Sequence, residues 1–330
     1  MPTYHDFRSS IRLEQMLALS PTGDEVAYSD DASGQFNLMV RSVVQGRHAR
    51  HLTSFSDDTV RAAAWHPNWK MLVFLADRRG DEHTQIYMVP ASGGEPEGLT
   101  DNPAAEFSLP KGSPFTFDGR LMAYVGNDRS SASQDVLVRD LATDKAWRID
   151  TGGGEAGIGY WAPNGQRLSV VRVHSGYNHH VYIAYADGSP STRLTPDDVV
   201  SQFLLGPWFP DGSRFLVRSD ASREYVGLAV MDAQSGQLEW IETPDWDVEF
   251  ADLSADGRIL TWIINVNSVA QLFARDLATG QDLPTPPLPA GRVWEMTLSS
   301  DGSMVAVLLT TATMECGRRR SENGRVPVAD

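Results

Sequence analysis

Hydrophobic and polar positions alternate along this chain in short runs, and the runs return at a fixed distance. Stretches such as VRAAAW (60–65), LVFLA (72–76), LMAYV (121–125), IGYW (158–161) and FLVR (215–218) are brief and rich in β-branched and aromatic residues. That pattern predicts strands, and no sustained 3.6-residue period predicts a long helix. A tight turn separates the first two strands of each group: SPTG at 20–23, HPNW at 66–69, TFDG at 116–119, APNG at 162–165, FPDG at 209–212, SADG at 254–257 and SSDG at 299–302. The last positions of these turns are Gly23, Trp69, Gly119, Gly165, Gly212, Gly257 and Gly302, at steps of 46, 50, 46, 47, 45 and 45 residues. Proline presets φ at the first corner of such a turn, Asp or Asn tolerates the second, and glycine supplies positive φ, so each copy has a mechanism.

A third strand follows each turn unit, as in FNLMVRS (36–42), QIYMVP (85–90), DVLVRDL (135–141), HVYIAYA (180–186), GLAVMDA (227–233) and QLFARDL (271–277). An outer strand closes the unit near RHLT (50–53), EGLT (97–100), WRID (147–150), TRLT (192–195) and LEWIE (238–242). Four antiparallel strands per repeat, repeated around a ring, describe an all-β, seven-bladed β-propeller. The last blade is expected to be incomplete: MVAVLLTTAT (304–313) fits a second strand and MECGRRRSENGRVPVAD (314–330) shows no alternation. The expected division is therefore a propeller over 1–313 and a disordered or non-native tail over 314–330. A truncated gene product is one account of that tail. The open edge it leaves would be filled by the first dozen residues, by the tail, or by a second copy in a homodimer.

Composition narrows the partners. A formal net charge of −15 and a pI near 4.9 oppose binding to nucleic acid or to an anionic membrane. Cys316 is the only cysteine, which excludes an internal disulfide and a zinc site of cysteine pairs and suits a reducing, cytoplasmic location. No cofactor and no metal are expected, since H-E-x-x-H and EF-hand patterns are absent.

The turns, together with DRRGDEH (77–83), NDRS (127–130), SREYVGLAVMD (222–232) and PDWDVEF (244–250), resemble the propeller domain of the prolyl oligopeptidase family, closest to its acylaminoacyl-peptidase-like branch, over residues 10–313. The turn motif is shared with TolB-type propellers. In the family this resemblance implies, the propeller precedes an α/β-hydrolase domain with a Ser-Asp-His triad and screens peptides on their way to it. This chain has no serine flanked by glycine two before and two after, the pattern a nucleophile elbow requires; Ser92, in ASGGE, comes nearest. The expected role is therefore a non-catalytic gating and docking domain for a peptide or protein, a hydrolase domain being one such partner. The alternative is a stand-alone TolB-like interaction propeller.

With four antiparallel strands, loops between strands two and three share a face with the blade-to-blade connections. The resemblance implies that this face receives the hydrolase domain. Its candidate residues are Arg78, Arg79, Glu82 and His83 in blade two; Asn127 and Arg129 in blade three; His174, Asn178 and His179 in blade four; Arg218, Arg223 and Glu224 in blade five; and Asn265 in blade six. Arginines there are suited to bidentate grips on carboxylates, although polar residues are also what any solvated loop carries. His179 and His180 are adjacent on a strand and point to opposite faces, so they do not share a metal. Trp65, Trp161 and Trp208 recur just before the turns and are expected to pack between blades. Asp245 and Asp247 flank Trp246 on one strand face, a spacing also met in glycoside hydrolysis. A third reading, a channel enzyme with a metal, needs several inward carboxylates at one level, and the inner strands offer mainly Glu249 and Glu295.

Overall fold

The computed structural model describes residues 11–43, 48–68, 70–311 and 317–320, the last of these through the backbone. Every regular element among the described residues is a strand. The strands form six four-stranded sheets in chain order and a seventh, partial sheet of three. Blade two shows the pattern: Asp58–Trp65 lies innermost, then Met71–Arg78, Gln85–Pro90 and Glu97–Gly98, each antiparallel to the last. This is an all-β propeller with four-stranded antiparallel blades, as the repeat predicts.

Packing follows from the two-residue period of a strand, because successive side chains face opposite neighbours. In Met71–Arg78, Leu72, Phe74 and Ala76 join a core shared with blade one, whereas Val73 and Leu75 join a core shared with blade three. The second strands are apolar on both faces for this reason. Seven such cores exist, one between each pair of adjacent sheets. The last joins Leu17, Val26, Tyr28 and Met39 of the first sheet to Leu308 of the seventh.

The turns tie neighbouring blades together on one face, called here the lower face. In Thr116–Gly119 the Gly119 amide donates to the Thr116 carbonyl at 2.8 Å and Gly119 adopts φ 73°. A Cβ there would lie 2.2 Å from the His66 ring, part of the preceding blade's turn, and His66 Nε2 is 2.9 Å from the Gly119 carbonyl. The same relation recurs from Gly257 to Pro210 and from Gly302 to Ser254 and Ile259. It also spans the ring's ends, where Gly23 sits against Met304 and Ser299 of the seventh sheet. Glycine is required twice over, for the left-handed backbone and for the approach. The three tryptophans reinforce this: Trp65, Trp161 and Trp208 donate their indole N–H to the Ala18, Pro114 and Tyr160 carbonyls of the preceding blade at 3.1, 2.9 and 2.8 Å.

The seventh sheet holds Gly291–Leu298, Val305–Thr311 and Gly317–Arg320. The expectation that it stops after its second strand is corrected by the third, whose backbone pairs from Leu309↔Gly317 to Ala306↔Arg320. Backbone hydrogen bonding on the open side of Val305–Thr311 recruits this segment even though its sequence lacks alternation. No fourth strand is present among the described residues. Trp69, Cys316, the first ten residues and RVPVAD (325–330) lie outside the described residues.

Candidate functional site at the upper face and the channel

Loops between strands two and three meet the blade connections on the upper face. The Arg79 amide donates to the Asp57 carbonyl, the Asn127 amide to Glu106, the His179 amide to Ser201 and the Asn265 amide to Asp247. The face is conformationally unusual. Of the six non-glycine residues with positive φ among the described residues, Arg79, Glu82, Ser222, Asn267 and Ser268 lie in these loops and Asp144 does not. Such backbone carries a cost of order 1–2 kcal/mol per residue that the surrounding contacts offset.

The predicted residues divide into three groups. Arg78, Arg79, Glu82 and His83 form an exposed corner: Arg78 and Arg79 stand 3.9 and 3.7 Å from Asp101 and Asp57, and His83 Nδ1 is 2.7 Å from the Pro103 carbonyl. Glu224 is exposed as well. A second group fastens loops. Asn127 Oδ1 accepts the Glu106 amide at 2.7 Å. Arg129 grips Asp135 through two bonds of 2.7 and 2.6 Å, and Arg148 reaches the same carboxylate at 2.9 Å. The Arg129 guanidinium thereby holds the fully buried Asp135 below the usual carboxylate range. His179 is buried with Nδ1 3.2 Å from both the amide and the carbonyl of Phe203, while His174 packs edge-on against His180 at 4.7 Å. The adjacent histidines do face different partners, since His180 Nδ1 lies 2.7 Å from an Arg193 nitrogen. Burial, then Arg193, lowers the His180 pKa. Asn178 is half-buried, with its Oδ1 out of reach of any described partner. Arg223 stacks over Trp240 at 5.3 Å and reaches the Pro244 carbonyl.

The third group lines the channel. Arg218 donates to the Glu249 carbonyl of the next blade and lies 5.8 Å from the Phe250 ring centre. Asn265 donates to Glu249 Oε1 at 2.9 Å, and Glu249 Oε2 is buried with no described hydrogen-bond partner. Asp252 accepts the Leu253 amide at 2.9 Å and the Leu298 amide of the seventh sheet at 2.8 Å. Enclosure by the channel wall shifts these groups toward their neutral forms: Asp252 rises to about 6, Glu295 to about 7 and Arg218 falls to about 10. Burial likewise pushes the Tyr160 phenol up, and Lys111 opposes part of the rise at Glu295. On the inner strand of blade two Arg61 bridges Glu14 of blade one at 2.9 Å and Asp77 at 2.8 Å.

Sequence reasoning missed Tyr160, Asp252, Lys111 and Arg61. For Tyr160, Asp252 and Arg61 the signal was a polar residue on an inner strand; Lys111 lies outside the strands and carried no such signal. Asp247 is a loop pin rather than half of a carboxylate pair, with Oδ1 accepting the Val226 amide at 2.8 Å. No group of three or more His, Cys, Asp or Glu placed to hold a metal occurs among the described residues.

The fold and channel define a β-propeller with a polar bore and a loop-rich upper face. No protein-family model and no curated protein matches the sequence. Solved structures do match in fold. One of two prolyl endopeptidases analysed for inter-domain dynamics in catalysis and specificity aligns at TM-score 0.71 and 13% identity, over 92% of this chain and 48% of that one. Prolyl oligopeptidase B from Galerina marginata aligns at 0.74 and 11%, over 96% and 49%. The β-propeller domain of the trilobed protease from Pyrococcus furiosus, described as having an open velcro topology, aligns at 0.68 and 13%, over 96% and 94%. The chain thus has the propeller fold of prolyl oligopeptidases, and it spans about half the length of the two whole peptidases.

Proposed function

We propose that this chain is a seven-bladed propeller with an incomplete last blade, and that it gates and docks: its upper face seats a protein partner and its channel screens peptides, as the propeller of an acylaminoacyl-type serine peptidase would. The observation that carries this reading is the placement of exposed apolar side chains. Tyr177, Val200 and Trp246 are 73%, 69% and 39% exposed, on upper-face segments of blades four to six. Exposed hydrophobes gathered on one face mark interaction sites. The Arg218, Glu249, Asp252 and Glu295 wall supplies a polar bore that would discriminate peptides by charge. A TolB-like scaffold has less support, since the putative TolB from Agrobacterium tumefaciens aligns at TM-score 0.51 over 70% of this chain.

The test mixes this chain with a separately expressed hydrolase domain of a prolyl endopeptidase. Light scattering follows association, and cleavage of a short and a long peptide follows screening. A complex that spares the short substrate, slows the long one and is lost in the Tyr177→Ser/Trp246→Ser variant is expected. No complex, or one indifferent to these substitutions, overturns the reading.

A further inference from the structure

The lower face repeats the same turn chemistry from blade to blade, and at one first corner it carries a large apolar side chain where the others have proline or a small residue. The first corner of the turn is Pro21, Pro67, Pro163 and Pro210 in blades one, two, four and five, Ala255 in blade six and Ser300 in the seventh sheet, but Phe117 in blade three. Phe117 is 82% exposed, more than any other large hydrophobic residue among those described. The other exposed large hydrophobes, Ile11, Tyr177, Val200 and Trp246, all belong to upper-face segments. Phe117 has no role in the turn itself, because the Gly119-to-Thr116 hydrogen bond and the Asp118 contacts are made without its side chain.

Phe117 stands at the rim of a cleft of about 450 Å³ between blades three and four. Leu121, Trp147 and Pro163 give the cleft an apolar wall, and the Trp147 indole N–H is already spent on the Ala186 carbonyl at 2.8 Å. Asp118 and Asp187 are exposed on two sides of it. The only cation in the lining, Arg120, is engaged by Asp140 at 2.8 Å. The unneutralised charge of the cleft is therefore negative. Hydrogen bonding from Thr116 to Asp118 and from Ser189 to Asp187 lowers both carboxyl pKa values, so this charge persists under mildly acid conditions.

We propose that this cleft is a second binding site, distinct from the upper face, which takes a protein segment presenting an apolar side chain flanked by lysine or arginine. The apolar side chain packs between Phe117, Trp147 and Pro163, and the flanking cations meet Asp118 and Asp187. An acidic segment is rejected by the same carboxylates. The proposal is independent of the docking and gating role, since it uses neither the channel nor the opposite face.

The probe is a short capped peptide with a benzoyl-phenylalanine between two lysines, photo-crosslinked to the intact chain and mapped by mass spectrometry. Crosslinks concentrated on 116–121, 147, 163–165 and 186–187 are expected, together with a loss of at least tenfold in yield when the lysines are replaced by glutamates. Phe117→Pro restores the residue that four other blades carry and keeps the fold, which an unchanged or raised thermal midpoint verifies; it should cut the crosslink at least tenfold. Asp118→Asn/Asp187→Asn should abolish the preference for lysine over glutamate while preserving apolar contact. Crosslinks scattered over both faces, or a yield unaffected by Phe117→Pro in the folded variant, overturn the proposal.

Discussion

The two faces of the ring obey different rules. On the lower face six of the seven turns use one solution: a left-handed glycine, a serine, threonine or Asx side chain folded back on the backbone, and contact with the neighbouring turn. On the upper face no two loops agree, non-glycine residues occupy left-handed backbone, and charged groups such as Asp135 are buried under arginines. Repetition on one side marks what the ring needs to close, and variation on the other marks what is free to recognise something. Phe117 fits this contrast, since it is the one first-corner residue of the repetitive face that is large and apolar.

The strongest way to break the contrast is through the inter-blade tryptophans. Trp208→Ala removes a buried indole together with its bond to the Tyr160 carbonyl, and a loss of about 3–5 kcal/mol is expected in denaturant unfolding. Gly257→Ala comes next, because the new Cβ would lie 2.6 Å from Pro210 Cδ at φ 72°. About 1–2 kcal/mol follows from the left-handed backbone, with a further ~1–3 from the overlap; a midpoint shift smaller than 1 kcal/mol would refute the turn-to-turn packing.

The channel gives a pH signature that neither face shares. Glu295 and Asp252 have raised pKa values, about 7 and about 6, so between about pH 4 and 7 the folded state binds more protons than the unfolded one. Their contribution is fully present below the ordinary carboxylate pKa and is lost as pH rises through these values. Stability should therefore fall from pH 5 to pH 8, and Glu295→Gln should flatten the upper part of that slope in a series of thermal midpoints. The smallest effect belongs to the exposed upper corner, where Glu82→Gly is expected to stay within about 0.5 kcal/mol of the parent. Relief of its positive φ and the greater freedom of glycine in the unfolded chain oppose each other there.

Much of this architecture is legible without coordinates. Turn residues act locally, so seven turn copies and the intervening alternation predict strand order, antiparallel blades and a ring. The inter-blade role of Trp65, Trp161 and Trp208 is readable for the same reason, because they recur in step with the turns. The channel was harder to read. Tyr160, Arg218, Asp252 and Glu295 come from four different blades, and their spacing in sequence says nothing about meeting across a bore. Asn127, Arg129 and His179 read as candidate recognition residues, yet hydrogen bonds to Glu106, Asp135 and Phe203 make them fasteners of their own loops.

The sequence by itself determined the repeat, the blade topology and the absence of a nucleophile elbow, since each depends on residues close together along the chain. Tertiary structure alone decided how the ring's ends meet, with Gly23 against Met304 and Leu308 among first-sheet side chains, and how Gly317–Arg320 joins the seventh sheet. It also decided which channel groups have their pKa values shifted toward the neutral form and which apolar side chains remain uncovered. Those outcomes depend on desolvation and on contacts between residues far apart in sequence, and closing the ring is what brings such residues together.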